Sequence, residues 1–317
     1  MKRASIDIGT NTVRLLIAEV ADGSIKPLLI KRAITRLGGG YSEKHGISPE
    51  ARERTIKVLE EFASVINAES VASATVSATS VMRRAVNSDA IISEVKSRTG
   101  LEIEVITGET EARLSMLGVL SVFSEPGPIG KSLTIDIGGG STEFIASTST
   151  STSNEIKGLW SLELGVVHLS EEFLKSDPPT KSELSAMEAE IEGVFGVLKA
   201  SMKADGVDPE SYSTDSGALF IGTAGTITTL AAVELDLEEY DPEKVNNYQL
   251  SVESVTEIFA RLKRIKIAER KRIAAIEKGR EDLIVAGTAV ALGAMRAFGF
   301  DSMVVSDAGL LEGLLLG

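Results

Sequence analysis

The chain has 317 residues, of which 43% are hydrophobic and 8 are proline, and it carries a formal charge of −13. It is long enough to bury two cores and too apolar to be disordered. With no cysteine and only two histidines, His45 and His168, it excludes a disulfide framework, a thiolate zinc site, a cysteine nucleophile and a histidine-rich metal cluster.

The acidic balance argues against a nucleic acid polymer as ligand, because that binding rests on excess Lys and Arg. The N-terminal MKRASIDIG meets charge before an apolar region forms. No run approaches the roughly 18 uninterrupted apolar residues of a membrane span. A cytoplasmic protein with no membrane partner is therefore expected.

In chain order, residues 4–8 and 13–20 are β-rich runs joined by a Gly-Thr-Asn turn, the pattern of a hairpin. After a glycine turn at 38–40, Ser48-Pro49 opens a helix with Ile56, Leu59 and Phe62 at helical spacing. A strand over 71–77 follows, then a helix capped by Ser88 and stopped by Gly100, a strand over 102–106, and an amphipathic helix from about Glu109. The breaker cluster SEPGPIG at 124–130 marks the boundary between a first domain, 1–124, and a second, 125–304.

The order then repeats. A hairpin over 132–146 turns through the low-complexity run at 147–154, and 155–162 continues the sheet. Thr180 to Glu183 reads as a capping box before a long helix, and 218–222 as a buried strand leading into Ala224-Gly225-Thr226. A late strand over 303–305 precedes an apolar helix over 308–316, which lacks a core of its own; the segment 305–317 is expected to complete the first domain.

The repeat is specific at the turns: SIDIGTNTVRL at 5–15 returns as TIDIGGGSTEF at 134–144. Glycine there permits close approach and positive φ, and clustered backbone N–H groups suit an anion. Thr10, Asn11 and Thr12 in the first copy, and Ser141 and Thr142 beside Gly138, Gly139 and Gly140 in the second, add hydroxyl or amide donors. Asp7 and Asp136 cannot bind phosphate directly and are better placed to hold a hydrated Mg²⁺. For one copy alone, a tight hairpin with an Asx-type bond is an equal reading; duplication favours two turns gripping one polyanion.

The two hairpins resemble the phosphate loops of the actin, hexokinase and heat-shock chaperone fold, and GTAGTITTL at 222–230 resembles its third glycine-rich loop. The sequence is more similar to the exopolyphosphatase and guanosine pentaphosphate phosphohydrolase (Ppx/GppA) family. The matching motifs, in the family's order, are DIGTNTVRLLI at Asp7, ATSVMRRAVN at Ala78, GETEARLSMLGV at Gly108, DIGGGSTEF at Asp136, GREDLIVAG at Gly279 and VSDAGLLEG at Val305. Two positions depart from it: RLGGG at 36–40 has Gly39 where an acid is usual, and His168 stands where an Arg often does. Read to Gly317, the chain corresponds to the family's short two-domain form.

The resemblance implies an α/β fold of two duplicated actin-like (ribonuclease H-like) domains with a cleft between them, and a homodimer; closure of that cleft on a polyanion is expected because opposed phosphate turns act together only when it shuts. It implies Mg²⁺-dependent release of terminal phosphate from inorganic polyphosphate, or from guanosine pentaphosphate (pppGpp). It makes Glu111 the residue that activates water, with Glu109 a weaker candidate. Asp136 and Glu143 are then metal ligands, with Asp7 contributing. Phosphate is gripped by Arg83, Arg14, the two hairpin turns, and Gly222, Thr223, Gly225 and Thr226. An acceptor-dependent kinase or a nucleotide-switched binding protein on the same fold stays open, as does the basic run at 261–272, a solvated helix face or a track for an anionic chain.

Overall fold

The computed structural model describes residues 1–21, 23–122, 130–150 and 154–317. They form two compact units, 1–121 with 309–317 and 122–308. Residues 124–129 of the breaker cluster and 151–153 of the low-complexity run lie outside the described residues.

In the first unit, β1 (Lys2–Ile8) and β2 (Thr12–Ala21) pair antiparallel, with Asp7 opposite Arg14. Strand β3 (Ser24–Ile34) lies outside β2. Helix α1 (Pro49–Ala68) begins where the Ser48 hydroxyl accepts from Ala51 N, and it buries Ile56, Leu59, Phe62 and Ile66 against the sheet core. Strand β4 (Ser73–Ala78) adds parallel to β1, followed by α2 (Ser80–Arg84), α3 (Ser88–Thr99), β5 (Ile103–Val105) parallel to β4, and α4 (Gly108–Ser121). The sheet order is β3-β2-β1-β4-β5.

The second unit repeats that plan. β6 (Gly130–Ile137), β7 (Thr142–Ser149) and β8 (Asn154–Leu162) form an antiparallel meander. Next come α5 (Val166–Phe173), α6 (Lys181–Ala204), β9 (Leu219–Thr223) parallel to β6, and α7 (Ala224–Glu234). Then α8 (Pro242–Val245), β10 (Gln249–Ser251), α9 (Val252–Leu262), α10 (Ile267–Arg270), α11 (Ile284–Phe298) and β11 (Ser302–Val305) complete it. The order β8-β7-β6-β9-β11, with β10 beyond, reproduces β3-β2-β1-β4-β5 strand for strand and sense for sense. Both outer pairs even carry a bulge at the same place, Ile17/Ala18 and Ala146/Ser147.

Several local expectations change. Ser88 is the first helical residue rather than the cap; Asn87 occupies that position, and its amide is taken by Ile47, donating to Ile47 O and accepting from Ile47 N. The low-complexity run is strand as far as Ser149, where Ser147 pairs its buried hydroxyl with Ser132 at 2.7 Å. Val305 belongs to β11 beside Gly222, so the return to the first unit begins at Gly309. The box at Thr180 and Glu183 forms as read. Among the described residues no helix is long and apolar enough to cross a membrane.

The closing helix, Leu310–Leu316, finds its core in the first unit: Leu311 and Leu315 pack with Leu16 and Ala18, and Leu310 and Leu314 with Ile106. Ser5 donates to Leu311 O from the buried face of β1. The helix lies so close to α4 that a Cβ on Gly118 collides with the Gly309 carbonyl, and one on Gly313 with the Leu114 carbonyl. Alanine for glycine in a helix interior ordinarily gains up to about 1 kcal/mol. Gly118→Ala is expected instead to lower stability by about 1–3 kcal/mol, the cost of overpacking against backbone. A Tm equal to or above that of the parent protein would contradict this contact.

Candidate active site

The two hairpin turns are built alike. Gly9 N donates to Thr12 O, and Gly138 N to Ser141 O, each at 3.0 Å. The segment after each third strand then holds the turn by its carbonyls. In the first unit Thr35 N and Arg36 N donate to Asn11 O, and Gly38 N to Thr10 O; in the second Val166 N donates to Gly138 O and Val167 N to Gly139 O. The carbonyls are thereby committed, whereas the N–H groups of Thr10, Asn11, Gly139 and Gly140 donate to no backbone carbonyl among the described residues. That is the polarity of an anion-binding turn. Asp7 Oδ1, Thr10 Oγ1 and Asn11 Oδ1 are buried without a hydrogen-bond partner, an unusual concentration of unsatisfied atoms.

Glu111 stands in the first turn of α4, which Thr107 opens by accepting from Thr110 N. Its Oε2 receives Arg83 Nη1 at 2.6 Å, and the same nitrogen donates to Ile106 O. The pair is mostly buried, the Glu111 side chain being 12% exposed. Arg83 comes from α2, directly after β4, and Glu111 from the helix after β5, so both start at the carboxyl ends of parallel strands, where β1 also delivers the first hairpin turn. Open α/β sheets bind ligands at those ends. Glu109, on another face, is 71% exposed beside Arg113.

The second unit gathers its site residues at the same end of its own sheet. Strand β6 delivers Gly138 to Ser141, and β9 delivers Thr223 into α7. The Thr142 hydroxyl donates to Leu164 O and the Thr223 hydroxyl to Ala308 O, so these two hydroxyl protons hold the scaffold. Gly222 lies within a strand, where a Cβ would press on Met303 and Ile227, and Thr226 packs its side chain toward Gly287. Ala224 has φ of +69°, a left-handed conformation that costs a non-glycine residue about 1–2 kcal/mol. Strain of this kind concentrates at functional sites.

Sequence reasoning gave no role to Arg280, yet a Cβ on Gly225 would strike its guanidinium, so Arg280 lies directly over the glycine-rich turn. Glu277 accepts from its Nε at 2.7 Å. The preceding Gly279 N donates to the buried Glu281 carboxylate, which Lys271 approaches at 3.5 Å. Burial disfavours that charge, but hydrogen bonds from the Glu281 and Gly279 backbone, with Lys271 nearby, outweigh it and hold the carboxyl below its ordinary range.

The two arginines expected to grip phosphate are both already paired with carboxylates, since Arg14 places Nε and Nη2 on Asp7 Oδ2 at 3.1 and 2.8 Å. The equivalent position opposite Asp136 is Glu143, 1% exposed, which accepts from Ser161 at 2.8 Å. Two carboxylates directly opposite on one sheet face repel. That donor set fits a hard divalent cation. Among the described residues no cluster of three or more carboxylates or imidazoles forms. His168 pairs with Glu172 on the exposed face of α5, and Trp160 donates to Asp205.

A duplicated α/β sheet with a glycine turn at the carboxyl end of each first strand defines the actin-like class of phosphate-handling proteins. Residues 16–317 match the model of the Ppx/GppA phosphatase family, and the chain belongs to that family. It is 29% identical over 326 residues to Exopolyphosphatase 2 of Mycobacterium tuberculosis, covering 99% of this chain and 97% of that one. It is 32% identical to a bifunctional 3-dehydroquinate synthase/phosphatase of Fusobacterium nucleatum, over 99% of this chain but only 46% of the relative's length. Among solved structures, the Aquifex aeolicus Ppx/GppA family member superposes with a TM-score of 0.79 at 35% identity, over 100% of this chain and 96% of that one.

Two outcomes follow from this geometry. Gly225→Ala displaces a side-chain end rather than backbone, so it is expected to leave Tm nearly unchanged while weakening phosphate binding; unchanged phosphate affinity would remove Arg280 from the site. The charge of Glu281 stabilises the fold at neutral pH, and this contribution is lost as pH falls through and below the ordinary carboxylate range. Glu281→Gln should therefore flatten the acid limb of a Tm–pH curve, and an unaltered limb would contradict the assignment.

Proposed function

We infer that this protein is an exopolyphosphatase: a hydrolase that removes the terminal phosphoryl group of inorganic polyphosphate with water. The observation that carries the reading is the Glu111–Arg83 pair at the head of α4, at the same sheet end as a turn with outward backbone donors and unsatisfied acceptors.

Glu111 orients a water molecule and accepts its proton as the oxygen attacks the terminal phosphorus. The bond to the bridging oxygen breaks, the shortened chain leaves with that oxygen, and orthophosphate carries the oxygen of water. Arg83 fixes the Glu111 carboxylate through Nη1, and Nε and Nη2 take no part in either of those bonds. A guanidinium so placed suits equatorial phosphoryl oxygens. Beside Glu111 in the first unit, the N–H groups of Thr10 and Asn11, with the hydroxyl of Thr12, support the non-reacting oxygens; the second unit's own turn offers the N–H groups of Gly139 and Gly140 and the hydroxyl of Ser141 to phosphate. Asp136 and Glu143 of the second unit are the residues that would hold Mg²⁺, which when bound neutralises phosphate charge. The phosphoanhydride bond is common to polyphosphate and guanosine pentaphosphate, and the second substrate belongs in the same assay.

The test is phosphate release with Mg²⁺ from long-chain polyphosphate, guanosine pentaphosphate and ATP, without and with an acceptor alcohol. Release from polyphosphate is expected, abolished by chelation and reduced about 10²–10⁴-fold in Glu111→Gln, the range for loss of a general base. Full activity in that variant would refute the assignment of Glu111, and turnover only with the acceptor would make the protein a kinase.

A further inference from the structure

Of the two readings of the basic run, a solvated helix face and a track for an anionic chain, the first does not describe its backbone. Helix α9 ends at Leu262, and the chain from 263 to 283 continues as successive turns and the single turn of α10. From 261 to 278 it carries eight basic residues, namely Arg261, Lys263, Arg264, Lys266, Arg270, Lys271, Arg272 and Lys278, against two acids, Glu269 and Glu277. In a protein of net charge −13 this is a pronounced local inversion.

One of these cations organises the rest. Arg270 is 2% exposed and donates to three backbone carbonyls: Leu262 O at 3.1 Å, Ile265 O at 3.1 Å and Glu281 O at 2.7 Å. Burial pushes its pKa down, and Asp177, 3.9 Å away, acts against that shift. The guanidinium thus ties the start of the loop to its end, beside Arg280, which covers the glycine turn of α7. Glu269, the acid inside the run, is turned onto Lys266 N as a cap.

Arg261, Arg264, Lys266, Lys271, Arg272 and Lys278 are exposed. Apart from Lys271, none of these six has a carboxylate within 4.0 Å among the described residues. Four of them, Arg264, Lys266, Arg272 and Lys278, sit on the one closed loop, with Arg261 on the last turn of α9 before it, and like charges so gathered favour an anion across them. No aromatic residue occurs between 260 and 282, so the loop offers none of the stacking faces that accompany single-stranded nucleic acid sites. The fitting ligand is a flexible polyanion without bases.

We propose that this loop is a docking surface for the distal phosphates of a linear inorganic polyphosphate, holding the chain beyond the phosphate under attack. The proposal deepens the hydrolase reading above and rests on it for the identity of the chain. The loop favours long chains over short ones, and it does so through salt-sensitive contacts.

The test uses the full chain carrying Arg264→Gln, Lys266→Gln, Arg272→Gln and Lys278→Gln together, with the four single variants in reserve should the combined one lose its cooperative melting transition. KM for long-chain polyphosphate is expected to rise, while kcat and the constants for tripolyphosphate stay unchanged. The slope of log KM against log salt should become shallower by about 3, at roughly 0.7 for each lost phosphate contact of a single-stranded polyanion. Equal effects on long and short chains, or none on either, would overturn the proposal. Equilibrium binding in the Glu111→Gln background separates the two ideas: if the parent protein hydrolyses nothing but long-chain polyphosphate still binds and the fourfold variant loses it, the surface stands and the hydrolase reading falls. Binding unaffected by the four substitutions, or tighter binding of single-stranded DNA, would sink the docking surface whatever the activity.

Discussion

A single hydrogen bond, made twice, constrains the molecule: Gly9 N to Thr12 O and Gly138 N to Ser141 O. Each closes a turn so tight that a Cβ on the glycine would lie inside van der Waals contact of the accepting carbonyl, 3.0 Å for Gly9 and 2.9 Å for Gly138. The turn fixes the hairpin register, and the register puts Asp7 opposite Arg14 and Asp136 opposite Glu143. It also presents the turn carbonyls to the segment after the third strand, which binds them and leaves the amides for an anion. The same peptide geometry therefore serves the sheet and the site.

Duplication preserved that geometry and changed the charge. Where the first unit neutralises its aspartate with Arg14, the second opposes its aspartate with another acid, Glu143. One backbone plan thus places a base opposite the aspartate in one unit and an acid opposite it in the other. In each unit the residues of interest leave the carboxyl ends of parallel strands, on short helices or loops whose positions the sheet dictates. Phosphoryl transfer suits such a frame, since it depends on positioning and electrostatics more than on covalent chemistry by the protein.

Much of this was legible in the sequence. The hairpins, the capping box at Thr180 and the αL stop at Gly100 depend on local spacing, as does the placement of Glu111 in the first turn of a helix. Strand β3 was not legible: it is an edge strand with exposed Leu28 and Ile30 and an internal Pro27, so it lacks the alternation that marks a half-buried strand. Asn87 hid its role because its partner, Ile47, is distant in sequence. The contact of Arg280 with Gly225 and the burial of Arg270 inside a basic run are likewise tertiary facts, carried by no local pattern. The strain at Ala224 is invisible to propensity, because alanine there reads as an ordinary helix start.

The central claim is that water, aligned by Glu111, attacks the terminal phosphorus. Single-turnover hydrolysis of polyphosphate in ¹⁸O-labelled water addresses it most directly. The account predicts one labelled oxygen in each orthophosphate released and none in the new end of the shortened chain. Label in the chain end, or unlabelled orthophosphate, would contradict it.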